Sequence, residues 1–168
     1  MTLIETLAQW CATPPPFSPR ARQLACEAIT DTLACLVAGR SDFSTLAVQQ
    51  AWPDTQRTPS QDALMNATAA HAIDFDDNFA PGMSHASAVL VPALLAVIKD
   101  AEGPALIRAY LIGLQAQAYI GEAIGYQHYT AGWHGTSTVG CIGSAAGVAA
   151  LMGLDAAGIA RALSIAVS

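Results

Sequence analysis

The sequence predicts an all-α protein. Apolar residues recur at helical spacing along almost the whole of its 168 residues, and nowhere does an alternation of β-branched residues last long enough to make a strand. Proline, glycine and short polar side chains fall where helices would begin and end. Alanine supplies 35 residues and 53% of the chain is hydrophobic, which excludes disorder because burial can offset the entropy of ordering.

A first helix over 3–12 ends before Pro14, Pro15 and Pro16, because a residue preceding proline is pushed out of helical geometry. Ser18 caps a second helix with Pro19 at its first position, where the missing N–H would have had no helical partner. Its apolar face is expected to hold Leu24, Ala28, Ile29, Leu33, Leu36 and Val37, and Gly39 closes it. A brief helix over 45–52 precedes a polar loop over 53–61. The next helix, 62–75, is rich in small residues and runs into Asp74, Phe75, Asp76, Asp77 and Asn78, where helix propensity collapses. Pro81 and Gly82 mark a loop over 78–85. Ser84 or Ser87 can cap the apolar helix after it, which ends near residue 100 and should be kinked by Pro92. Pro104 opens a longer helix to residue 124, and a loop containing Gly, Tyr and His covers 125–135. Two last helices, 136–152 and from 156 onward, form a hairpin with Gly153 as its stop and Asp155 as the next N-cap. Gly143 and Gly147, four apart, would let another helix backbone approach closely. The apolar stretch Ala162, Leu163, Ile165, Ala166 and Val167 reaches Ser168 without a cap, so the sequence is expected to be the N-terminal part of something longer.

Charge excludes one class of function. Seven basic residues, of which only Lys99 is a lysine, face thirteen acids, and a net charge of -6 offers no basic stripe for a phosphate backbone. Nucleic acid is therefore not an expected partner. The cysteines Cys11, Cys26, Cys35 and Cys141 lack zinc spacing and any Cys-x-x-Cys pair, and residues 1–10 lack a basic leader, so buried thiols in a reducing cytoplasm are expected. No charge occurs between Glu122 and Asp155, a gap long enough for a membrane span. Its glycines, His128, His134 and the hydroxyls of Thr136, Ser137 and Thr138 argue for a buried soluble helix instead.

In a chain so poor in charge, a polar cluster is informative. His71, Asp74, Asp76, Asp77, Asn78, Ser84, His85 and Ser87 form the densest one, at a helix end and loop where a pocket can form. His71 and Asp74, three apart on one helix face, suit either a site or a core histidine bonded to a neighbouring carboxylate or carbonyl. Asp76 and Asp77 lie toward the negative end of the helix dipole and need donors from elsewhere or exposure to water. The spacing of Asp74, Asp77 and His85 fits no metal motif in particular, and no metal is expected. A second constellation, Trp133, His134, Gly135, Thr136, Ser137, Thr138 and Gly140, places a histidine and hydroxyls at a helix start. There they could bind a carboxylate or merely cap the helix.

With both constellations described, the chain resembles the MmgE/PrpD family, which includes 2-methylcitrate dehydratase, cis-aconitate decarboxylase and iminodisuccinate epimerase. The matching segments are His71-Ala72-Ile73-Asp74-Phe75-Asp76-Asp77, then His85-Ala86-Ser87 with Val89 and Pro92-Ala93-Leu94-Leu95-Ala96. Trp133-His134-Gly135-Thr136 with Thr138 and Gly140 follows, and then Gly153-Leu154-Asp155 with Ala162 and Leu163. The resemblance implies a large helical domain with a smaller α/β lid, a homodimer of longer chains, and an active site between the domains, of which this chain supplies the first helical part. It further implies cofactor-independent lyase chemistry, dehydration or decarboxylation, next to a carboxylate of a small di- or tricarboxylate. An epimerase exchanging an α-proton, or an inactive helical fragment, are the alternatives.

Carried over residue by residue, the resemblance makes Asp74, His85 and His134 the catalytic candidates and Asn78, Ser87, Thr136 and Thr138 the substrate-binding ones. His85 would act as general acid/base, since histidine titrates nearest neutrality. Asp74 would orient a catalytic group or take the proton itself, a task that burial among alanines would suit, and His134 with Thr136 or Thr138 would hold a substrate carboxylate. Family lysines lie in segments after this one, and Lys99 matches none of the catalytic segments. Three features depart from the family pattern: Ala86 and Gly135 replace prolines, Asn78 replaces the threonine of the decarboxylases, and the loop before His85 is one residue longer.

Overall fold

The computed structural model describes residues 1–52, 57–99 and 101–168, and among these only helices and their connections occur, apart from a single bridge between Phe79 and Ser84. The helices are α1 (Leu3–Ala12), α2 (Pro19–Ala38), α3 (Phe43–Ala51), α4 (Pro59–His71), α5 (Ala86–Leu95), α6 (Gly103–Ile124), α7 (Gln127–Thr130), α8 (Gly135–Leu151) and α9 (Ala156–Ala166). Several helix starts are capped by a side chain, whereas the starts of α6 and α8 are not. Thr2 and Glu5 form a capping box on α1, Ser18 Oγ accepts from the Ala21 N–H of α2, and Asp155 Oδ1 accepts from Gly158 N–H of α9.

Helix boundaries differ from expectation where a cap was overlooked. Asp42 accepts from both the N–H and the hydroxyl of Ser44, so α3 starts at Phe43, before residue 45. Thr58 and Gln61 make a reciprocal capping box with Pro59 at the first position, which starts α4 three residues before Asp62. The loop expected over 53–61 falls partly on residues 53–56, outside the described residues, as does the position near residue 100 given as the next helix end. The helix containing Pro92 in fact stops at Leu95, with Ala96 as its C-cap. Neither Ser84 nor Ser87 caps it with its own side chain. The loop over 125–135 contains the short α7.

The long pair α6 and α8 forms the centre, with α1 and α9 on one side and α2, α4 and α5 on the other. Ala8, Cys11, Ile112, Ala116, Ala146 and Ile159 bury the contact among α1, α6, α8 and α9. Ile29, Leu90, Leu94, Tyr110 and Leu111 fill the space among α2, α5 and α6. Along α2 the buried stripe is Ala25, Ile29, Thr32, Cys35 and Leu36, which leaves Leu24, Leu33 and Val37 exposed, contrary to expectation. The stripe follows the i, i+4, i+7 geometry of the one helix face that packs on the neighbouring helices, and Leu24, Leu33 and Val37 lie off it. Gly143 behaves as expected: a Cβ there would strike the Gln117 side chain and approach the Gly113 carbonyl of α6, so the α6–α8 crossing requires glycine. No helix among the described residues is long and apolar enough to cross a membrane.

Candidate functional site

Helix α4 ends at His71, four residues sooner than its pattern of small residues suggests. The chain turns there, with the Asp74 N–H donating to the His71 carbonyl at 3.1 Å and Asp74 itself in the left-handed region at φ +54°. Aspartate tolerates that conformation better than most residues. The turn reverses the direction of the chain and brings Asp76 back beneath His71. His71 Nδ1 lies 3.0 Å from both oxygens of Asp76, whose side chain is 0% exposed.

The loop that follows is closed by reciprocal backbone bonds between Phe79 and Ser84, and the left-handed Met83 completes it. Ser84 Oγ donates to Gln117 Oε1 at 3.0 Å, and Gln117 Nε2 donates to the Ala86 carbonyl at 3.4 Å. These bonds pin His85 as the residue before α5. Its N–H donates to Thr136 Oγ1 at 2.9 Å, tying this loop to the start of α8. His85 Nε2 lies 3.7 Å from Asp74 Oδ1, and its ring centroid is 4.6 Å from that of His71. His85 Nδ1 is buried 3.2 Å from Asp76 Oδ2 but off the direction of a hydrogen bond, which leaves it without a formed one.

Asp77 does a different job. Its Oδ1 accepts from the Ser87 N–H at 3.0 Å and its Oδ2 from the Ser87 hydroxyl at 2.6 Å, so the cap of α5 arrives from a residue ten positions earlier. The Ser87 hydroxyl also lies 2.7 Å from Tyr110 Oη. Burial pushes the Tyr110 phenol up to about 12, with the Asp77 charge adding to that direction and the Ser87 hydrogen bond opposing it. Behind this region, burial raises the Cys35 thiol, and the negative charges of Asp31, Asp76 and Asp77 add to the effect.

The candidates identified from sequence thus occupy distinct places. Asp74 and His85 meet. His134, at the N-cap of α8, and Asn78 line with His85 a concavity of about 370 Å³, together with Tyr126 and Tyr129. His134 also lines an adjoining concavity with His71 and Thr136. Ser87 is fully buried, its hydroxyl taken up by Asp77 and Tyr110, and Thr136 is buried as the acceptor for His85. Thr138 turns its hydroxyl to His128 Nε2 at 2.6 Å. The burial expected for Asp74 is not found: its side chain is 79% exposed, because the left-handed turn points it outward. Of the thiols expected to be buried, Cys26 and Cys141 are exposed.

Asp76 acquires a role that sequence spacing did not reveal, since a five-residue separation from His71 is not a helical-face spacing. Gln117 is likewise a buried polar residue in an apolar helix, and that contrast was its only signal. His71, Asp74, Asp76 and His85 each offer a ligand atom, all within 4.8 Å of one another, a set of imidazoles and carboxylates that a Zn²⁺, Fe²⁺ or Mn²⁺ ion could use. A Cβ at Gly135 would run into the Met83 carbonyl, so the start of α8 lies against the loop before His85 only because residue 135 is glycine.

Residues 5–168 match the MmgE/PrpD N-terminal domain. Cis-aconitate decarboxylase of Mus musculus is 31% identical over 129 residues, covering 69% of this chain and 25% of that protein. Cis-aconitate decarboxylase of Homo sapiens is 32% identical over 126 residues, with the same coverage. The chain therefore spans about a quarter of the length of these curated relatives.

Proposed function

The chain belongs to the MmgE/PrpD family, and from that premise we propose that the whole protein is a lyase acting by acid/base chemistry beside a carboxylate of a small di- or tricarboxylate, without a cofactor. The observation that carries this reading is the meeting of His85 Nε2 and Asp74 Oδ1, 3.7 Å apart, at the edge of the concavity that His134 and Asn78 share. Breaking a bond next to a carboxylate requires a group that takes or gives the α-proton and donors that hold the charge developing on the substrate. His85 performs the first task. Asp74, exposed and beside Nε2, orients the imidazole or receives its proton.

His134 and Asn78 bind a substrate carboxylate, aided by the positive end of the α8 dipole. Thr136 serves this site indirectly, by fixing the backbone of His85. With thirteen acids against seven bases here, further positive charge comes from other parts of the full-length protein. By family likeness we also propose a homodimer with a lid domain, and a cytoplasmic location.

The test is an assay of this chain and the full-length protein, side by side, with citrate-like and aconitate-like acids. Release of water or carbon dioxide by the full-length protein alone is the expected result. Turnover by the isolated chain would overturn the claim that the site is completed elsewhere. Exchange of an α-proton with solvent deuterium without elimination would replace the lyase by an epimerase.

A further inference from the structure

We infer that Asp76 is the positioning residue of His85, and that His71 is the clamp that holds it in that role. The inference rests on the assignment of His85 as the acid/base group. A carboxylate without solvent exposure must find donors inside the protein. Among the described residues, no lysine or arginine pairs with Asp76, and its partners are two imidazoles. A carboxylate accepts and does not donate, so in the 3.0 Å contacts His71 Nδ1 carries the proton and donates it to Asp76. The two contacts together fix the plane of the carboxylate and direct Oδ2 toward His85.

His85 Nδ1 is buried, carries no formed hydrogen bond, and lies 3.2 Å from that oxygen. A modest rotation of the ring completes the bond, as occurs when catalytic contacts tighten around a substrate. In that arrangement His85 donates Nδ1–H to Asp76 and keeps Nε2 as the basic nitrogen facing Asp74. When Nε2 gains a proton, the resulting imidazolium is stabilised by a carboxylate already in place. The groups facing His85 are Asp74 and Asp76 from its own loop and His71 at the end of α4. Across the concavity lie His134, Tyr126 and Tyr129. Asp74 is largely exposed and free to follow substrate, whereas Asp76 is not.

The test replaces Asp76 with Asn in the full-length protein. Long-range proton–nitrogen spectra of ¹⁵N-histidine-labelled protein are expected to show His85 with a protonated Nδ1 and an unprotonated Nε2. In Asp76→Asn that preference is lost, and kcat falls about 100-fold or more, the range of a misplaced general acid/base, while KM changes little. His71→Ala should weaken kcat in the same way. His71→Asn, which returns an N–H donor near the position of Nδ1, should recover part of it and provides the test if Asp76→Asn does not fold. An unchanged His85 tautomer in Asp76→Asn, or His71→Asn no better than His71→Ala, overturns the inference. If instead His85→Gln leaves turnover intact, the proposed function fails while the tautomer measurement still reports on Asp76.

Discussion

Replacing Asp77 with Ala should destabilise this region by removing the cap of α5, by an amount that can be worked from two hydrogen bonds. The variant loses two charge-assisted bonds, to the Ser87 N–H at 3.0 Å and to its hydroxyl at 2.6 Å, and leaves both donors without their acceptor. Ser87 is 0% exposed and Tyr110 1%, so water cannot easily replace the carboxylate. Each bond to a charged group contributes about 1.5–3 kcal/mol, and two bonds sharing one carboxylate are not additive, which sets a loss of about 2–4 kcal/mol. For a chain of this size that lowers the melting temperature by roughly 5–15 °C. Tyr110→Phe removes a neutral hydrogen bond, leaves the Asp77–Ser87 pair intact, and should cost only about 1 kcal/mol. Because Ser87 joins the two, the Asp77 and Tyr110 variants should couple by more than about 0.5 kcal/mol in a double-mutant cycle. Urea unfolding of wild type, the single variants and the double variant measures all of this. A loss below about 0.5 kcal/mol for Asp77→Ala would refute the assignment of Asp77 and Ser87 as structural groups and return Ser87 to the list of substrate contacts.

Alkaline pH should destabilise the protein through buried groups that fold in their protonated form. Burial pushes Tyr110 and Cys11 up to about 12, from ordinary values of 10 and 9. Below those ordinary values both groups are protonated in either state and stability is unaffected, whereas between them and about pH 12 the unfolded chain releases protons that the folded chain keeps. Urea midpoints should therefore fall from pH 9 to pH 12, less steeply in Tyr110→Phe; equal slopes would exclude Tyr110. Gly143→Ala should destabilise by about 1–3 kcal/mol despite the better helix propensity of alanine, because its Cβ meets Gln117 and the Gly113 carbonyl; a neutral or stabilising result in thermal unfolding would mean that α6 and α8 cross less closely. Chelation with EDTA should leave turnover of the full-length protein unchanged, whereas a loss restored by Zn²⁺ or Mn²⁺ would make His71, Asp74, Asp76 and His85 a metal centre.

The helical architecture was legible because the longer helices carry their period and most carry their punctuation, whereas the four-residue α7 is too short to show one. Ser18-Pro19, Gly153 and Asp155 stand where they were expected to act. What the sequence hid were the caps Asp42, left unassigned, and Thr58, placed in a loop, and a cap supplied from outside its helix, since Asp77 serves α5 from ten residues away. The site divided along the same line. The family likeness singled out Asp74 and His85, which the structure places 3.7 Å apart, but the pairing of Asp76 with His71 depends on a left-handed turn at a non-glycine residue, which no periodicity announces. The exposure of Asp74 has the same origin. Ser87 and Thr138 are polar residues in matching segments, yet only the fold reveals that Asp77, Tyr110 and His128 engage their hydroxyls.

The central claim, that His85 moves a proton at the carbon beside a substrate carboxylate, is tested most directly by solvent exchange. Full-length protein in D₂O with a panel of di- and tricarboxylic acids should place deuterium at that carbon of the reactive acid or of its product. His85→Gln should reduce the rate by about 100-fold or more while substrate still binds. Deuterium incorporation at the wild-type rate in His85→Gln would contradict the claim and remove the imidazole from the chemistry.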